Sequence, residues 1–319
     1  MPLQLPVEKW TGKIREIAIG AVKEEGGSRS RKLVVGGQSA LPFLDIDGTI
    51  PHPPALGMEV VDVISPDFPA LVKQEFDDVL DSAAKRAKKC VESFGADFIC
   101  LKLEGANPEG SNRSPEEAAV TVKEVLAAVS VPLLIYGCGN EEKDSKVMEA
   151  VSYAAKGERC FLGLAENGKY KSIAVASMAN GHGLVAFSNL DINLAKQLNI
   201  LLTDFGVKPE NILMDPLMAG IGYGVEYSYS VMERIRLAAL MGDSMLQMPM
   251  ICDVGTAWKA RESSVVDPHL GDPKRRGPLW EATTAMAAMT AGADLLIMRH
   301  PKSIALVRVS VNNLMKGGV

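Results

Sequence analysis

No Cys-x-x-Cys pair occurs in this chain: its five cysteines, Cys90, Cys100, Cys138, Cys160 and Cys252, are odd in number and far apart. Such spacing offers no start for a zinc or iron–sulfur site and reads as buried thiols, so no iron–sulfur cluster is expected on this chain. Histidine is equally sparse. His52, His182, His269 and His300 stand alone with no His-x-His, which leaves a metal-dependent hydrolase without its ligands. There is no excess of positive charge, the formal net charge being −5 and the pI about 5.6, and a nucleic-acid partner is therefore not expected. No apolar run reaches membrane-spanning length, and Met1–Trp10 has neither the basic segment nor the apolar block of a secretory leader. A cytoplasmic protein without a membrane partner is the expectation.

What the chain does have is one repeated pattern. With 47% hydrophobic and 23% charged residues there is ample material for a packed interior. From about residue 60 a short β-branched run, a polar loop and an amphipathic helix follow one another repeatedly, which implies parallel strands. The expected strands are Val60–Ser65, Asp97–Leu103, Pro132–Tyr136, Arg159–Leu164, Leu184–Phe187, Asn211–Met214, Pro249–Cys252 and Asp294–Met298. Ser114-Pro115-Glu116-Glu117 carries a capping serine, proline in the first turn and the glutamate of a capping box. Ala195, Leu198, Leu202 and Phe205 recur at helical spacing before Gly206 and Pro209, a helix with a glycine stop.

Ser93-Phe-Gly-Ala-Asp-Phe-Ile and Thr290-Ala-Gly-Ala-Asp-Leu-Leu use the same helix-to-strand junction. These junctions are short, whereas the strand-to-helix loops are long and polar. That asymmetry predicts a (β/α)8 barrel over residues 60–319 with its functional face at the strands' C-terminal ends. An open doubly wound sheet is the competing architecture. Residues 1–59 depart from the pattern: Ile14–Ile19 and Lys32–Val35 read as strands joined across Gly26-Gly27-Ser28, an N-terminal β extension capping the barrel.

Candidate sites follow from that face. Gly220-Ile-Gly-Tyr-Gly-Val-Glu-Tyr-Ser228 is not a dinucleotide fingerprint, because Val225 stands where the last glycine is required. Gly220, Gly222 and Gly224 can bring backbone close to a ligand or simply form a wide turn. Lys102 is either a Schiff-base lysine or half of a barrel-filling ion pair with Glu104 or another carboxylate. His300 follows the last strand, as a site residue or as a helix-start residue bonded to backbone. Gly137-Cys138-Gly139-Asn140, Asn189, Asp191, Asp215 and Gly255-Thr256 should ring one mouth. Such a rim suits recognition of a polar or amide-rich ligand better than proton transfer, although Asn189 and Asp191 serve equally well as helix caps. The clustered methionines, Met218 among them, read first as core filling, with contact to a planar cofactor as the other use.

Leu133-Leu-Ile-Tyr-Gly-Cys-Gly-Asn-Glu-Glu-Lys-Asp144, Asn189-Leu-Asp-Ile-Asn193, Met214-Asp-Pro, Gly222-Tyr-Gly-Val-Glu-Tyr-Ser228, Val231-Met-Glu-Arg-Ile-Arg-Leu-Ala-Ala239 and Gly277-Pro-Leu-Trp-Glu281 form an ordered set that resembles the small subunit of the corrinoid iron–sulfur protein, the delta-subunit family of acetyl-CoA decarbonylase/synthase complexes. The resemblance implies a (β/α)8 barrel paired with a large subunit that supplies the iron–sulfur cluster and most of the binding of a cobalt corrinoid (cobamide). It further implies that methyl reaches the corrinoid from methyltetrahydrofolate through a separate methyltransferase and passes to acetyl-CoA synthase. Cofactor contact is then expected from Gly137, Cys138, Gly139, Asn140, Asn189, Asp191, Asp215, Met218, Gly220, Gly222, Tyr223, Gly224 and Thr256, with no catalytic residue and no metal ligand assigned. Two alternatives remain: a pterin-binding, corrinoid-dependent methyltransferase, and a purely structural partner of the large subunit.

Overall fold

The structure is a computed structural model and describes residues 6–316. A hairpin comes first, β1 (Ile17–Ile19) pairing antiparallel with β2 (Leu33–Val35). The barrel strands are β3 (Ala55–Val61), β4 (Phe98–Lys102), β5 (Leu133–Tyr136), β6 (Phe161–Glu166), β7 (Gly183–Phe187), β8 (Ile212–Asp215), β9 (Met250–Asp253) and β10 (Ala293–Met298). They are parallel neighbours in chain order, and β10 pairs back onto β3 to close the ring. Around them lie α1 (Ala70–Gln74), α2 (Ala83–Glu92), α3 (Pro115–Ala128), α4 (Glu141–Ala154), α5 (Tyr170–Asn180), α6 (Ile192–Asp204), α7 (Val225–Leu240), α8 (Arg261–Ser264), α9 (Pro273–Ala291) and α10 (Pro301–Leu314). This is the expected (β/α)8 barrel with an N-terminal β extension; closure rules out the open sheet.

Local signals account for the element ends. Ser114 caps α3 by accepting from Glu117 N while Glu117 reaches back to Ser114 N, and α6 ends at Phe205 before Gly206 at φ 106°. The duplicated junction is also duplicated in its bonds. Asp97 accepts from Leu56 N, and Asp294 accepts from Met250 N. Each aspartate thereby ties its own strand to the first amides of a neighbour. Each is held in turn by an arginine, Arg308 at 2.6 Å and Arg236 at 2.8 Å.

The first barrel strand differs from the expectation. It spans Ala55–Val61 instead of Val60–Ser65, because its inward residues are small or charged and give no β-branched signal. A Cβ on Gly57 would lie 2.3 Å from the Phe98 ring, so glycine there makes room for the aromatic side chain across the pair. Glu59, the next inward residue, is an ion-pair partner.

Two apolar layers result. Leu56, Met58, Val60, Ile99, Leu101, Ile135, Leu184, Ile212 and Leu296 face outward against the helices. Phe98, Cys100, Leu134, Phe161, Val185, Leu213, Ile251 and Ile297 fill the lumen together with Ile17, Ile19 and Val35 of the hairpin. The hairpin therefore plugs the lumen at the strands' N-terminal end. Buried Arg29 pins it there, through Glu158 at 2.8 Å and the carbonyls of Leu126 and Val129 just before β5. With that end closed by the hairpin, the lumen among the described residues opens toward the strands' C-terminal ends.

Candidate functional site

At the strands' C-terminal ends the lumen changes from apolar to ionic. Lys102 Nζ lies 2.7 Å from Glu59 Oε2 and 2.6 Å from Asp253 Oδ2, and Arg299 Nε lies 3.0 Å from Glu59 Oε1. Two cations and two carboxylates thus neutralise one another across β3, β4, β9 and the end of β10. Burial pushes the Lys102 ammonium down, but Asp253 and Glu59 outweigh it and hold the group above its ordinary range. Burial likewise raises Asp253, and Lys102 and Arg299 more than reverse it. A lysine held charged in this way is a poor Schiff-base nucleophile. The ion-pair reading stands, and of its two alternatives it is other carboxylates, Glu59 and Asp253, that pair with Lys102, not Glu104. β4 ends at Lys102, and Glu104 begins a 3-10 turn, so the strand parity that linked the two is broken.

Asp215, at the end of β8, has no ion-pair partner among the described residues. It is buried, accepts a hydrogen bond from Leu217 N at 2.9 Å, and is pushed up to about 7 by burial, with the Asp253 charge adding to it. His300 caps α10, accepting from Lys302 N at 3.1 Å; burial lowers it to about 4. Its ring stacks on Trp258 at 5.8 Å. The helix-start reading of His300 therefore holds.

Beside the ionic layer a cleft of about 240 Å³ opens between the ends of β4, β5 and β6, lined by Lys102, Glu104, Tyr136, Cys138, Glu166 and Lys169 among others. Tyr136 contributes to its wall, and its hydroxyl, closed off from solvent, has no hydrogen-bond partner. Gly137, Cys138 and Gly139 form one wall. Their loop is clamped by Asp144 of α4, which accepts from Cys138 N at 2.9 Å and Gly139 N at 2.8 Å. A Cβ on Gly137 would fall 2.4 Å from that carboxylate, which accounts for the glycine. Burial raises the Cys138 thiol to about 11, and the adjacent Asp144 charge contributes.

The rest of the expected set shares this end of the barrel but not this cleft. Asn140 caps α4 through Lys143 N, and Asp191 caps α6 through Asn193 N and Leu194 N, with both side chains exposed. Asn189, also exposed, has φ 42°. Thr256 donates to the Met218 carbonyl at 2.5 Å, and Met218 itself is buried in the helix-facing layer. Gly220 packs against the 256–257 backbone, where a Cβ would meet Ala257 Cα at 2.8 Å. Gly222 and Gly224 have positive φ. The loop from Gly220 to Gly224 rests on α9: Trp280 Nε1 donates to Ile221 O at 2.8 Å, and Tyr223 is exposed. Sequence reasoning missed Glu59, Asp253, Arg299 and the Tyr136 hydroxyl. Asp253 alone carried a signal, an acidic residue directly after a strand, as Asp215 is.

The fold is shared with dihydropteroate synthases. The Thermus thermophilus enzyme in complex with 4-aminobenzoate superposes with TM-score 0.56 at 15% identity, covering 95% of this chain and 99% of the other. The Burkholderia cenocepacia enzyme complexed with 7,8-dihydropteroate gives 0.55 at 17% identity, covering 82% and 92%. At such identities the likeness is one of fold. Sequence relatives are much nearer. The acetyl-CoA decarbonylase/synthase complex subunit delta of Methanosarcina mazei is 41% identical over 310 residues, 95% of this chain and 71% of that protein. The corresponding subunit of Methanocaldococcus jannaschii is 40% identical, covering 95% and 74%, and that of Archaeoglobus fulgidus is 37% identical, covering 98% and 71%. The family model for the CO dehydrogenase/acetyl-CoA synthase delta subunit matches residues 16–310, and with relatives this similar over this much of the chain, the protein belongs to that family.

Proposed function

We propose that the mouth of this barrel lies over one face of a corrinoid held mainly by a large subunit, shielding it while a methyl group is carried between a methyltetrahydrofolate-dependent methyltransferase and acetyl-CoA synthase. The chain is the small, delta subunit of the corrinoid iron–sulfur protein of the reductive acetyl-CoA pathway, by its family. The observation that carries the shielding role is the state of the ionic layer. Lys102, Glu59, Asp253 and Arg299 are committed to one another, so none of these four is left as a free base or nucleophile in the mouth they build.

The residues present fit such a ligand. A corrin carries amide arms around its rim, and the cleft of about 240 Å³ has room for an arm and not for the macrocycle. Gly139, Asn140, Asn189, Asp191 and Tyr223 are exposed around the same mouth, donors and acceptors suited to the remaining arms. When bound, the corrinoid cobalt supplies the methyl-carrying chemistry. This chain's residues orient the ring and exclude water from one face. Asp215 and Met218 are buried, so they support the loops instead of offering contact surface.

The test is co-purification with the large subunit followed by cobalt absorption spectra with and without this chain. Joint elution and a spectrum that changes on addition of the chain are expected. A cobalt spectrum indifferent to the chain would make it a structural partner only. Tight binding of methyltetrahydrofolate by the isolated chain would favour a methyltransferase instead.

A further inference from the structure

The stretch Gly277-Pro-Leu-Trp-Glu281 lies in the first half of α9, outside the ring of strands, yet all of it but Leu279 is turned to the loops of the mouth. A Cβ on Gly277 would fall 2.6 Å from the Trp258 ring, so the helix lies directly on the turn Val254–Lys259 that follows β9. The Pro278 carbonyl accepts from Ser303 Oγ at 2.9 Å, in the first turn of α10. Trp280 Nε1 holds the Ile221 carbonyl, and one turn further on Thr284 Oγ1 accepts from Ile221 N at 3.3 Å. α9 thus supports three successive loops of the mouth, those after β8, β9 and β10.

Glu281 is the charged member of the stretch. It is completely buried, and its two oxygens accept from successive amides at the corner between β10 and α10, Arg299 N at 2.6 Å and His300 N at 3.1 Å. Glutamine has one acceptor oxygen; its NH2 would turn against one of these amides and leave a buried donor without an acceptor. The first amide belongs to the residue whose side chain completes the ionic layer. From the corner the Arg299 side chain passes Gly255, where a Cβ would fall 2.6 Å from Nε, and Nη2 donates to Glu59 Oε2 at 3.1 Å. Glu281 and Glu59 therefore grip one residue from opposite ends, by its backbone and by its side chain.

Burial pushes Glu281 up to about 7 against the pull of its hydrogen bonds. Of the groups around it, Arg299 and His300 belong to the corner, Glu75 stands behind His300 at 3.4 Å, and the 254–259 turn presents the Trp258 ring. Once protonated, the carboxyl has a hydroxyl in place of one acceptor and no longer serves both amides equally.

We propose that Glu281 is a positioning residue of the mouth: by holding the Arg299 and His300 amides it aims the Arg299 guanidinium at Glu59 and so sets the geometry of the ionic layer. The plainer role would be to anchor the first turn of α10, and Arg299 tells the two apart. The inference rests on the reading of the mouth as the ligand face only for its use; the experiment needs no cofactor, and its failure would leave the shielding role standing.

The side-chain Nε–H signal of Arg299, identified by its loss in Glu59→Gln/Arg299→Met, is followed by heteronuclear NMR in the full chain. In the wild-type protein it should shift along a titration curve centred at about 7, and at pH of about 8 Glu281→Gln should displace or broaden it. A signal fixed across that range in the wild-type chain, or unmoved by the substitution, overturns the proposal. Urea unfolding at the same pH is the second readout. Glu281→Gln should lower the folding equilibrium constant at least about tenfold in the wild-type background and less than about threefold in Glu59→Gln/Arg299→Met, a background in which Lys102 keeps its pair with Asp253. Equal losses in the two backgrounds would make Glu281 an anchor for α10 alone and sink the proposal. Should Glu281→Gln not fold, the wild-type titration decides.

Discussion

Asp215→Asn should stabilise this barrel, and more so the higher the pH. The carboxyl is buried at the end of β8 and accepts from Leu217 N, while the nearest ammonium, Lys102, is already bound by two other carboxylates. Burial first, and the charge of Asp253 second, push its folded-state pKa to about 7, against roughly 3.9 for an aspartate in an unfolded chain. A carboxyl with a raised folded-state pKa binds its proton more tightly when folded. Its contribution is therefore fully present below about pH 4 and is lost as pH rises through about 7. Three units at about 1.4 kcal/mol each amount to roughly 4 kcal/mol between those limits. Asparagine keeps the acceptor for Leu217 N and has no charge to bury, so it escapes that loss. The assay is urea unfolding of both proteins between about pH 5 and 8, with the difference in stability plotted against pH and the infrared band of a protonated carboxyl as a second readout. The variant's advantage should grow with pH to the order of a few kcal/mol. Parallel profiles, or a wild-type protein lacking the protonated-carboxyl band near pH 6, would refute the assignment of a neutral Asp215.

The architecture was legible because a (β/α)8 barrel repeats itself. Seven of the eight strands lie where short apolar runs precede polar loops, and the matching Gly-Ala-Asp junctions at residues 95–97 and 292–294 do the same job twice, down to the aspartate that ties one strand to the next. β3 was displaced because its inward positions are Ala55, Gly57 and Glu59, chosen to fit the Phe98 ring and to neutralise Lys102 and Arg299. Those requirements are set by residues distant in the chain, and a local pattern of β-branched side chains cannot express them.

The site was legible in its location and much less in its chemistry. Loop asymmetry placed Gly137, Asn189, Asp215 and Thr256 at one end. It could not say that Asp144 would occupy the amides of Cys138 and Gly139, or that Asn140 and Asp191 would serve as helix caps. The ionic layer was hidden because its members are separated by up to 240 positions in the chain. Only closure of the ring, with the last strand beside the first, sets Arg299 against Glu59. The sequence offered Glu104 or another carboxylate as the partner of Lys102 and could name only the near one; the actual partners come from the strands that the barrel brings round.

Two further perturbations follow from the same mouth. Asp144→Asn removes the negative charge beside Cys138, a thiol raised to about 11 by burial with help from that charge. Its pKa should fall, and alkylation by iodoacetamide near pH 8 should quicken severalfold; an unchanged rate would mean that burial alone governs it. Lys102→Met leaves Glu59 and Asp253 sharing Arg299 as their one nearby cation. Removing one member of a buried ionic group costs about 3–5 kcal/mol, because the charges left behind remain desolvated. Part of that loss should be recovered by protonation: with Lys102 gone a carboxylate of the layer is raised above its unfolded value, so the variant should be least impaired near pH 5 and lose ground as pH rises. The double variant Lys102→Met/Asp253→Asn restores neutrality, Arg299 balancing Glu59, and should regain most of the stability at pH 8. Failure of the second substitution to rescue the first in unfolding experiments would mean that Lys102 acts by filling space. The mouth would then be held by packing, and its ionic layer would no longer explain why Lys102 is unreactive.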